Sequence, residues 1–399
     1  MDEPGSPSLR REPGAATVPL RTIALEWTRI GLTGFGGPPA HVALLRRLVV
    51  DRRRWLEPQE FEDAFAACSL LPGPASTQLA IYCARRVGGP AGAVVGGLGF
   101  IVPAVVLIVA LSVLFLAASP PAWVRGAGAG AGAAVPAVAV AAAAALLGPS
   151  WARTRSLPGR RLRWGVYVCL GVAAASALGA YVAFVLLGCG LAELVIAGAL
   201  PAIRDRHAVL FPAPALAAAG APGGLGALAW VAFKVGALSF GGGFVIIPLM
   251  RGDAVHTYHW MTSTQFLSAV ALGQVTPGPV VATVAAVGYA AHGVAGAALG
   301  ATIAFLPSFL LVLCGGQHFE RLRYARPAQR FLDGAGPAAL GSIVGAAIPL
   351  AAALHEGWQF AILAAAVVAL LAARLPIVPT LLTAGLAGAI IALAGGPLP

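Results

Sequence analysis

Two positively charged side chains lie within otherwise apolar segments of the sequence. Arg29 and Lys234 each stand six residues before a Phe-Gly-Gly run, and Lys234 is the only lysine in the chain. A charge at the centre of a membrane helix costs about 2.5–3.5 kcal/mol on insertion scales, so each cation should face a cavity or a partner. Together they are predicted to present two positive charges to one dianion. The alternatives are snorkelling to the membrane surface and, for Arg29, a local pair with Glu26.

Helix-breaking motifs occur in matching pairs in the two parts of the chain. In membrane helices such breaks are tolerated only where they face protein or a water-filled cavity. The residues after each break begin a half-helix whose N-terminus can bind an oxyanion. The alternative is that the glycines only permit tight helix packing. The candidate binding residues in these motifs are Gly36 and Gly37 with Gly241 and Gly242, and Pro72, Gly73 and Pro74 with Pro277, Gly278 and Pro279.

Hydroxyl and amide side chains crowd the same motifs and can donate hydrogen bonds to oxyanion oxygens. Each of them has the alternative of capping a broken helix or of bonding between helices. The candidates are Thr33, Ser239, Ser76, Thr77, Gln78, Gln274, Thr276 and Thr283.

Acidic side chains are few in the apolar segments. Glu26, Glu62 and Glu193 are candidates for proton coupling, and a structural pair with an arginine is the favoured alternative for each. Three histidines stand alone, and we predict that they lie at helix or loop ends: His41, His292 and His355.

The composition of the chain indicates its class. Of 399 residues, 59% are hydrophobic and 10% are charged, and the mean hydropathy is +0.85. Soluble domains carry roughly 25% charged residues, so the sequence predicts a polytopic membrane protein in a lipid bilayer. The net charge of +11 comes from arginines clustered in short connections, as in cytoplasmic loops. It does not form a basic stripe interleaved with aromatic residues, so no nucleic acid is expected as a partner.

The sequence lacks motifs typical of enzymes and of nucleotide-driven pumps. HExxH, GxSxG and Walker A motifs are absent, and the five cysteines stand singly. No enzyme activity, cofactor or metal is therefore expected. Transport would have to be driven by a gradient or an exchange, unless a separate subunit supplies the energy.

About ten apolar stretches are long enough to cross roughly 30 Å of hydrocarbon. Two further segments, 60–88 and 265–292, are interrupted at their centres by Pro-Gly-Pro and are predicted to be re-entrant hairpins or broken helices. The first stretch is ambiguous, because a bend at 36–39 would make it a hairpin. The predicted spans are 21–45, 91–118, 126–148, 164–181, 183–202, 225–250, 294–316, 331–353, 358–373 and 376–396.

The chain contains an internal repeat. A shift of 205 residues overlays 24–105 on 229–310 without a gap, which aligns both Phe-Gly-Gly runs and both Pro-Gly-Pro motifs. Equivalent loops differ in charge, since 46–54 carries five arginines and 251–259 carries one. The positive-inside rule then places equivalent loops on opposite sides, so an inverted-topology repeat is predicted, as in many secondary transporters. The predicted division is a disordered tail (1–20), a first membrane domain (21–203), a linker (204–224) and a second membrane domain (225–399).

These motifs closely resemble those of the chromate ion transporter family. In the first domain the resemblance rests on 32–38, 52–55 and 71–74 together with Phe61, and in the second on 233–243, 260–262 and 276–279 together with Phe266. It covers nearly the whole chain after the N-terminal tail. Arg251 departs from a family pattern that has acidic residues near this point, although Asp253 is close.

The resemblance implies a long-chain, two-domain chromate exporter of the inner membrane that confers chromate resistance. It implies functional roles for the glycines and prolines of the paired motifs, and Arg29 and Lys234 fall where the family often has a basic residue. Sulfate, also a tetrahedral dianion, is the implied competitor. The residues alone predict only a transporter for a small oxyanion, and they leave a sulfate transporter or a passive anion channel as alternatives. A homodimer is one option for the oligomeric state.

Overall fold

The structure is a computed structural model and describes residues 18–71, 73–117, 119–152, 154, 159–178, 181–197, 223–239, 244–315 and 326–399. These residues form fourteen α-helices, joined in places by short π and 3₁₀ turns, and include no strand. The first seven helices are α1 (Leu20–Thr33), α2 (Pro38–Arg46), α3 (Pro58–Leu70), α4 (Ala75–Phe115), α5 (Ala122–Ala152), α6 (Arg160–Ala173) and α7 (Val182–Ile196). The other seven are α8 (Leu225–Leu238), α9 (Ile246–Arg251), α10 (Ser263–Val275), α11 (Val284–Gly315), α12 (Arg326–Ala351), α13 (Gly357–Val367) and α14 (Ile377–Leu393).

The two sets of seven helices repeat the same order of elements. With a shift of 205 residues, α1 falls on α8 and α3 on α10 from end to end. A π-helical turn follows α2 (Arg47–Arg52) and, at the equivalent position, α9 (Gly252–Thr257). A second pair of π turns follows α6 and α13. The duplication predicted from the sequence is therefore present in the fold.

Each half contains a helical hairpin that bends at Pro-Gly-Pro. In the first half, Glu60 near the start of α3 makes an ion pair with Arg86, which lies on the returning helix. In the second half, Gly273 of α10 and Thr283 of the 3₁₀ turn Val280–Thr283 lie in contact across the bend. The segments predicted to be hairpins or broken helices are thus hairpins. We call the described residues Leu71, Gly73 and Pro74 the first tip and residues 276–279 the second tip.

Each hairpin passes into a longer helical limb through a second reversal of the chain. The helix α4 turns back at Gly89, which brings Gly96 against Ala84. The helix α11 turns back in the same way at Gly293. The helix α4 packs against the helix α11 of the other half.

The last three helices of each half exchange partners. The helix α5 packs along α13 and α14 of the second half, whereas α12 packs along α6 and α7 of the first. Glycines bring these backbones into contact, as at Gly345, where a methyl group would lie 2.8 Å from the Cα of Val172. An ion pair between Arg160 of α6 and Asp333 of α12 also joins the halves.

Four helical segments in the described part of the chain are long and apolar enough to cross a membrane: 75–115, 122–152, 280–315 and 327–351. Shorter apolar helices of 10–17 residues accompany them. These helices indicate a membrane protein, and the count of about ten spans stays a prediction. Segment 21–45 is a broken helix, because α1 ends at Thr33 and α2 begins at Pro38. Residues 1–17 of the predicted tail and 204–222 of the predicted linker lie outside the described residues.

Candidate functional site

The first tip lies against the second half of the molecule. Gly73 has a φ of +114°, a backbone conformation that favours glycine. A methyl group on Gly73 would lie 2.7 Å from Gln78 Nε2, 3.3 Å from the carbonyl oxygen of Gly236 and 3.4 Å from Ser308 Oγ. Gly236 belongs to α8 and Ser308 to α11. Three elements from both halves therefore meet at this bend.

The second tip lies against the first half. The backbone N–H of Gly278 donates a hydrogen bond of 3.0 Å to the carbonyl oxygen of Gly34, directly after α1. A methyl group on Gly278 would lie 2.7 Å from the Cβ of Ala104 and 3.4 Å from the carbonyl oxygen of Gly31. Gly31 is the equivalent of Gly236 under the 205-residue shift. Each tip thus lies against the first helix of the opposite half.

The breaks in the first helices carry further predicted site residues. Gly36 and Gly37 connect α1 to α2 with φ values of +99° and +75°. A methyl group on Gly37 would lie 3.8 Å from Val280, which follows the second tip. The predicted residues Pro72, Gly241 and Gly242 lie outside the described part of the chain. Pro74, Pro277 and Pro279 are buried at the two tips.

Three buried hydroxyl groups, carried by the elements that meet at the first tip, lack hydrogen-bond partners among the described residues. They belong to Ser239, Ser308 and Thr77, each 0% exposed. Ser239 directly follows α8, and Thr77 lies in the first turn of α4. At the second tip the hydroxyl groups are satisfied locally, because Thr276 donates to the carbonyl of Leu272 (2.9 Å) and Thr283 donates to that of Val280 (2.7 Å). The amide nitrogen of Gln274 has no partner in the described part of the molecule.

His41 is a member of this region that the sequence analysis placed at a helix or loop end. His41 lies in the first turn of α2, which fits that prediction, and its side chain is 0% exposed. Its Nε2 lies 2.9 Å from the carbonyl oxygen of Gly34, and its Nδ1 lies 3.4 Å from Ser76 Oγ. The internal repeat could have indicated that His41 is buried, because the equivalent position in the second half is an isoleucine, Ile246, which is also buried.

The structure does not bring Arg29 and Lys234 to a common site. Lys234 is buried and forms an ion pair with Asp253 of the π turn after α9. Arg29 lies on the exposed side of α1, where the hydroxyl of Thr33 donates to its backbone carbonyl at 2.7 Å. The exposed position of Arg29 fits the alternative of snorkelling to the membrane surface.

The candidate proton-coupling residues all pair with arginines. Glu26 accepts hydrogen bonds of 2.6 and 3.2 Å from Arg53, and Glu193 accepts two of 3.1 Å from Arg163. Glu62 is 63% exposed and lies 3.8 Å from an arginine, Arg46. These contacts fit the structural alternative named for each residue. No group of three or more histidine, cysteine, aspartate or glutamate side chains suited to a metal occurs in the described part of the chain.

The fold and the paired breaks define an all-helical membrane protein of two homologous halves, in which each Pro-Gly-Pro tip lies against the first helix of the other half. A sequence profile of the chromate transporter family matches residues 21–199 and 226–391. The chain therefore belongs to the chromate transporter family, as the motifs predicted. Family membership indicates a transporter rather than an enzyme.

Similar proteins of known name support this assignment. The chain is 31% identical to the chromate transport protein of Cupriavidus metallidurans over 392 residues, which cover 96% of this chain and 95% of that protein. It is 31% identical to the chromate transport protein of Pseudomonas aeruginosa, with 90% and 89% covered, and 29% identical to a probable chromate transport protein of Synechococcus elongatus, with 84% and 86% covered. No solved structure matches the chain.

Proposed function

We propose that this protein is a secondary transporter that exports chromate across the inner membrane and so gives resistance to chromate. One observation carries the proposal: in a chain of this family, the two Pro-Gly-Pro tips meet the broken first helices of the opposite halves. Helix interruptions at matching positions in two repeats form the substrate sites of many secondary transporters. The relatives named as chromate transport proteins match nearly the whole chain, which supports chromate as the substrate.

The chemistry of the tips suits a tetrahedral dianion. Helices begin directly after both tips, at Ala75 and Val280, and a helix N-terminus carries unsatisfied N–H groups and a partial positive charge. The unpartnered hydroxyl groups of Ser308, Ser239 and Thr77, on the elements that meet at Gly73, add hydrogen-bonding capacity for oxyanion oxygens. Lys234 contributes to this site through α8, the helix that carries Gly236. Arg29 and Thr33 are not part of the proposed binding site.

The two halves are proposed to have inverted orientations in the membrane. The returning helix of the first hairpin ends with Arg85-Arg86, whereas the equivalent residues of the second hairpin are Ala290-Ala291. The positive-inside rule places the arginine-bearing end of the first hairpin on the cytoplasmic side. The equivalent end of the second hairpin, which has no arginine pair, is then left on the opposite side. Hairpins that enter from opposite sides would bring their tips together near the middle of the bilayer.

Uptake of chromate by everted membrane vesicles tests the proposed function. Energised vesicles that contain the protein are expected to accumulate chromate, and excess sulfate is expected to reduce the rate. Arg29→Gln is the matched control, because the exposed Arg29 should leave the rate within twofold of wild type. Lack of uptake in well-inserted protein would remove chromate as the substrate. Flux that only follows the chromate gradient would indicate a channel.

Accessibility of single cysteines tests the proposed inversion separately from transport. In a background without the five native cysteines, Arg86→Cys and Ala291→Cys mark the bases of the two hairpins. An impermeant thiol reagent should label the two positions from opposite sides of the membrane. Labelling of both from the same side would contradict the inverted arrangement and leave the transport proposal standing.

A further inference from the structure

We infer that the oxyanion binds at the first tip alone, held by the hydroxyl groups of Thr77, Ser239 and Ser308 and by the N-terminus of α4. This inference rests on the proposed function for the kind of substrate, but it assigns that substrate to one of two equivalent tips. It also adds Ser308 to the binding residues. The two tips would then share a backbone conformation, but only the first would bind the substrate.

The unpartnered hydroxyl groups are the main observation. A buried polar group without a hydrogen bond costs free energy, so such groups are rare in folded proteins. Here three of them are fully buried and come from three elements: the first turn of α4, the end of α8 and the limb of α11. The oxygen of Ser308 lies 3.4 Å from the position that a methyl group on Gly73 would take. The same position lies 2.7 Å from Gln78 Nε2, so any side chain larger than that of glycine would displace this amide beside the hydroxyl.

The start of α4 supplies the second observation. The N–H groups of Thr77 and Gln78 bond the carbonyl of Pro74, which sets the first turn of the helix directly at the bend. The N-terminus of a helix favours anions through its partial positive charge. The described groups in contact with Gly73 belong to Gln78, Gly236 and Ser308, and none of them is acidic. A cation would therefore find no charged partner here, whereas an oxyanion would find donors.

The second tip offers fewer unpartnered donors in the described structure, where the amide nitrogen of Gln274 is one. The N–H of Gly278 already donates to the carbonyl of Gly34, and the nearest group to a methyl on Gly278 is the methyl of Ala104. Under the 205-residue shift, Ser239 corresponds to Gly34, Thr77 to Ala282 and Ser308 to Pro103. None of the three hydroxyl groups has an equivalent in the other half. The ligand class is therefore a small tetrahedral oxyanion whose oxygens accept separate hydrogen bonds from neutral donors.

The test compares matched deletions of buried hydroxyl groups in the full-length protein in proteoliposomes. Ser308→Ala and Thr77→Val should each raise the KM for chromate about tenfold or more, because each loses a hydrogen bond to a charged acceptor. Ser112→Ala is the matched control, since Ser112 is also fully buried and unpartnered in the described structure but lies near the far end of α4. Thr283→Val is the control at the second tip. Both controls should stay within twofold of wild type.

Thermal unfolding distinguishes a binding role of Ser308 from a structural role. Without ligand, Ser308→Ala should unfold at the wild-type temperature or above, because the lost hydroxyl has no partner. Chromate should raise the midpoint of wild type and of Ser112→Ala, but not that of Ser308→Ala. Equal KM values for Ser308→Ala and Ser112→Ala would overturn the site and leave chromate transport intact.

A failure of the proposed function is distinguishable from a failure of the site. If wild type moves no chromate, sulfate and molybdate serve as probes in the same unfolding experiment. Stabilisation by either oxyanion that Ser308→Ala abolishes would uphold the site and exclude chromate as its substrate. No stabilisation by any of the three would overturn the site as well.

Discussion

The two Pro-Gly-Pro tips have the same backbone and different surroundings. Gly73 and Gly278 both adopt positive φ values, and each lies against the first helix of the opposite half. The first tip adjoins buried hydroxyl groups without partners in the described structure, whereas the second is fixed by a backbone hydrogen bond to Gly34. The duplication thus explains the arrangement of tips and first helices that surrounds the site. The differences between the halves indicate which side of that frame binds the ligand.

The ion pairs that fix the two first helices show a similar divergence. The helix α8 is held through Lys234 and Asp253, which are both 7% exposed, and α1 through Glu26 and Arg53, of which the arginine is 39% exposed. The acid lies on the first helix in one half and the base in the other. Each ion pair fixes the first helix of its own half, and that helix contacts the tip of the other half. Mutation of one pair therefore weakens the contacts of one tip without changing those of the other.

The largest expected effect comes from breaking the buried pair. Lys234→Ala should destabilise the protein by about 3–5 kcal/mol, because it leaves the carboxylate of Asp253 buried without its partner. Arg53→Ala should cost less, about 1 kcal/mol, because this arginine is partly exposed. Thermal unfolding in detergent measures both. Equal losses for the two variants would contradict the difference between the supports.

The double variant Lys234→Met/Asp253→Leu separates stability from binding. It removes both charges and should regain most of the stability lost in Lys234→Ala, since apolar replacement of a buried pair is often neutral. Chromate uptake by this stable variant would show that the lysine only supports α8. Loss of uptake in the folded variant would show that its charge acts on the substrate.

An intermediate effect is expected from a methyl group at either tip. Gly278→Ala and Gly73→Ala both place an alanine at positive φ, which costs about 1–2 kcal/mol. Gly278→Ala should be the more destabilising, because its methyl meets Ala104, whereas the nearest atom at Gly73 is the end of the flexible Gln78. Thermal midpoints test this order, and Ala104→Gly should restore part of the stability of Gly278→Ala. Gly73→Ala should reduce the affinity for chromate more than Gly278→Ala does, although it is the less destabilising of the two.

The smallest effect is expected at the second tip. Thr276→Val removes a hydroxyl that bonds the carbonyl of Leu272 in its own helix, an interaction of little net value. The free energy of unfolding should change by less than about 1 kcal/mol, and the KM for chromate should stay within twofold. A tenfold rise in KM would move the ligand to the second tip.

The sequence predicted the frame of the molecule well. The repeat, the helix breaks and the hairpins depend on local signals, because glycine and proline interrupt helices wherever they fall together. The aromatic residues Phe61 and Phe266, which occupy equivalent positions in the repeat, are both buried. The exchange of α5 and α12 between the halves left no such signal, since every apolar helix offers similar small-residue faces.

The binding chemistry was harder to predict. The pairing of Lys234 with Asp253 depends on the packing of α8 against α9, and nothing local links residues that are 19 positions apart. Arg29 repeats the pattern of Lys234 in the sequence but lies on an exposed helix face. Ser308 is one serine in an apolar limb, and only its contact with Gly73 gives it a role. Symmetry in the sequence therefore overstated the symmetry of the site.

A structure of the protein with bound chromate tests the central claim most directly. The anomalous scattering of chromium locates the ion without reference to the surrounding protein. We predict one peak at the first tip, within hydrogen-bonding distance of the hydroxyl groups of Ser308 and Ser239 and next to the start of α4. A peak beside Gly278 and Gly34, or one shared equally by the two tips, would contradict the account.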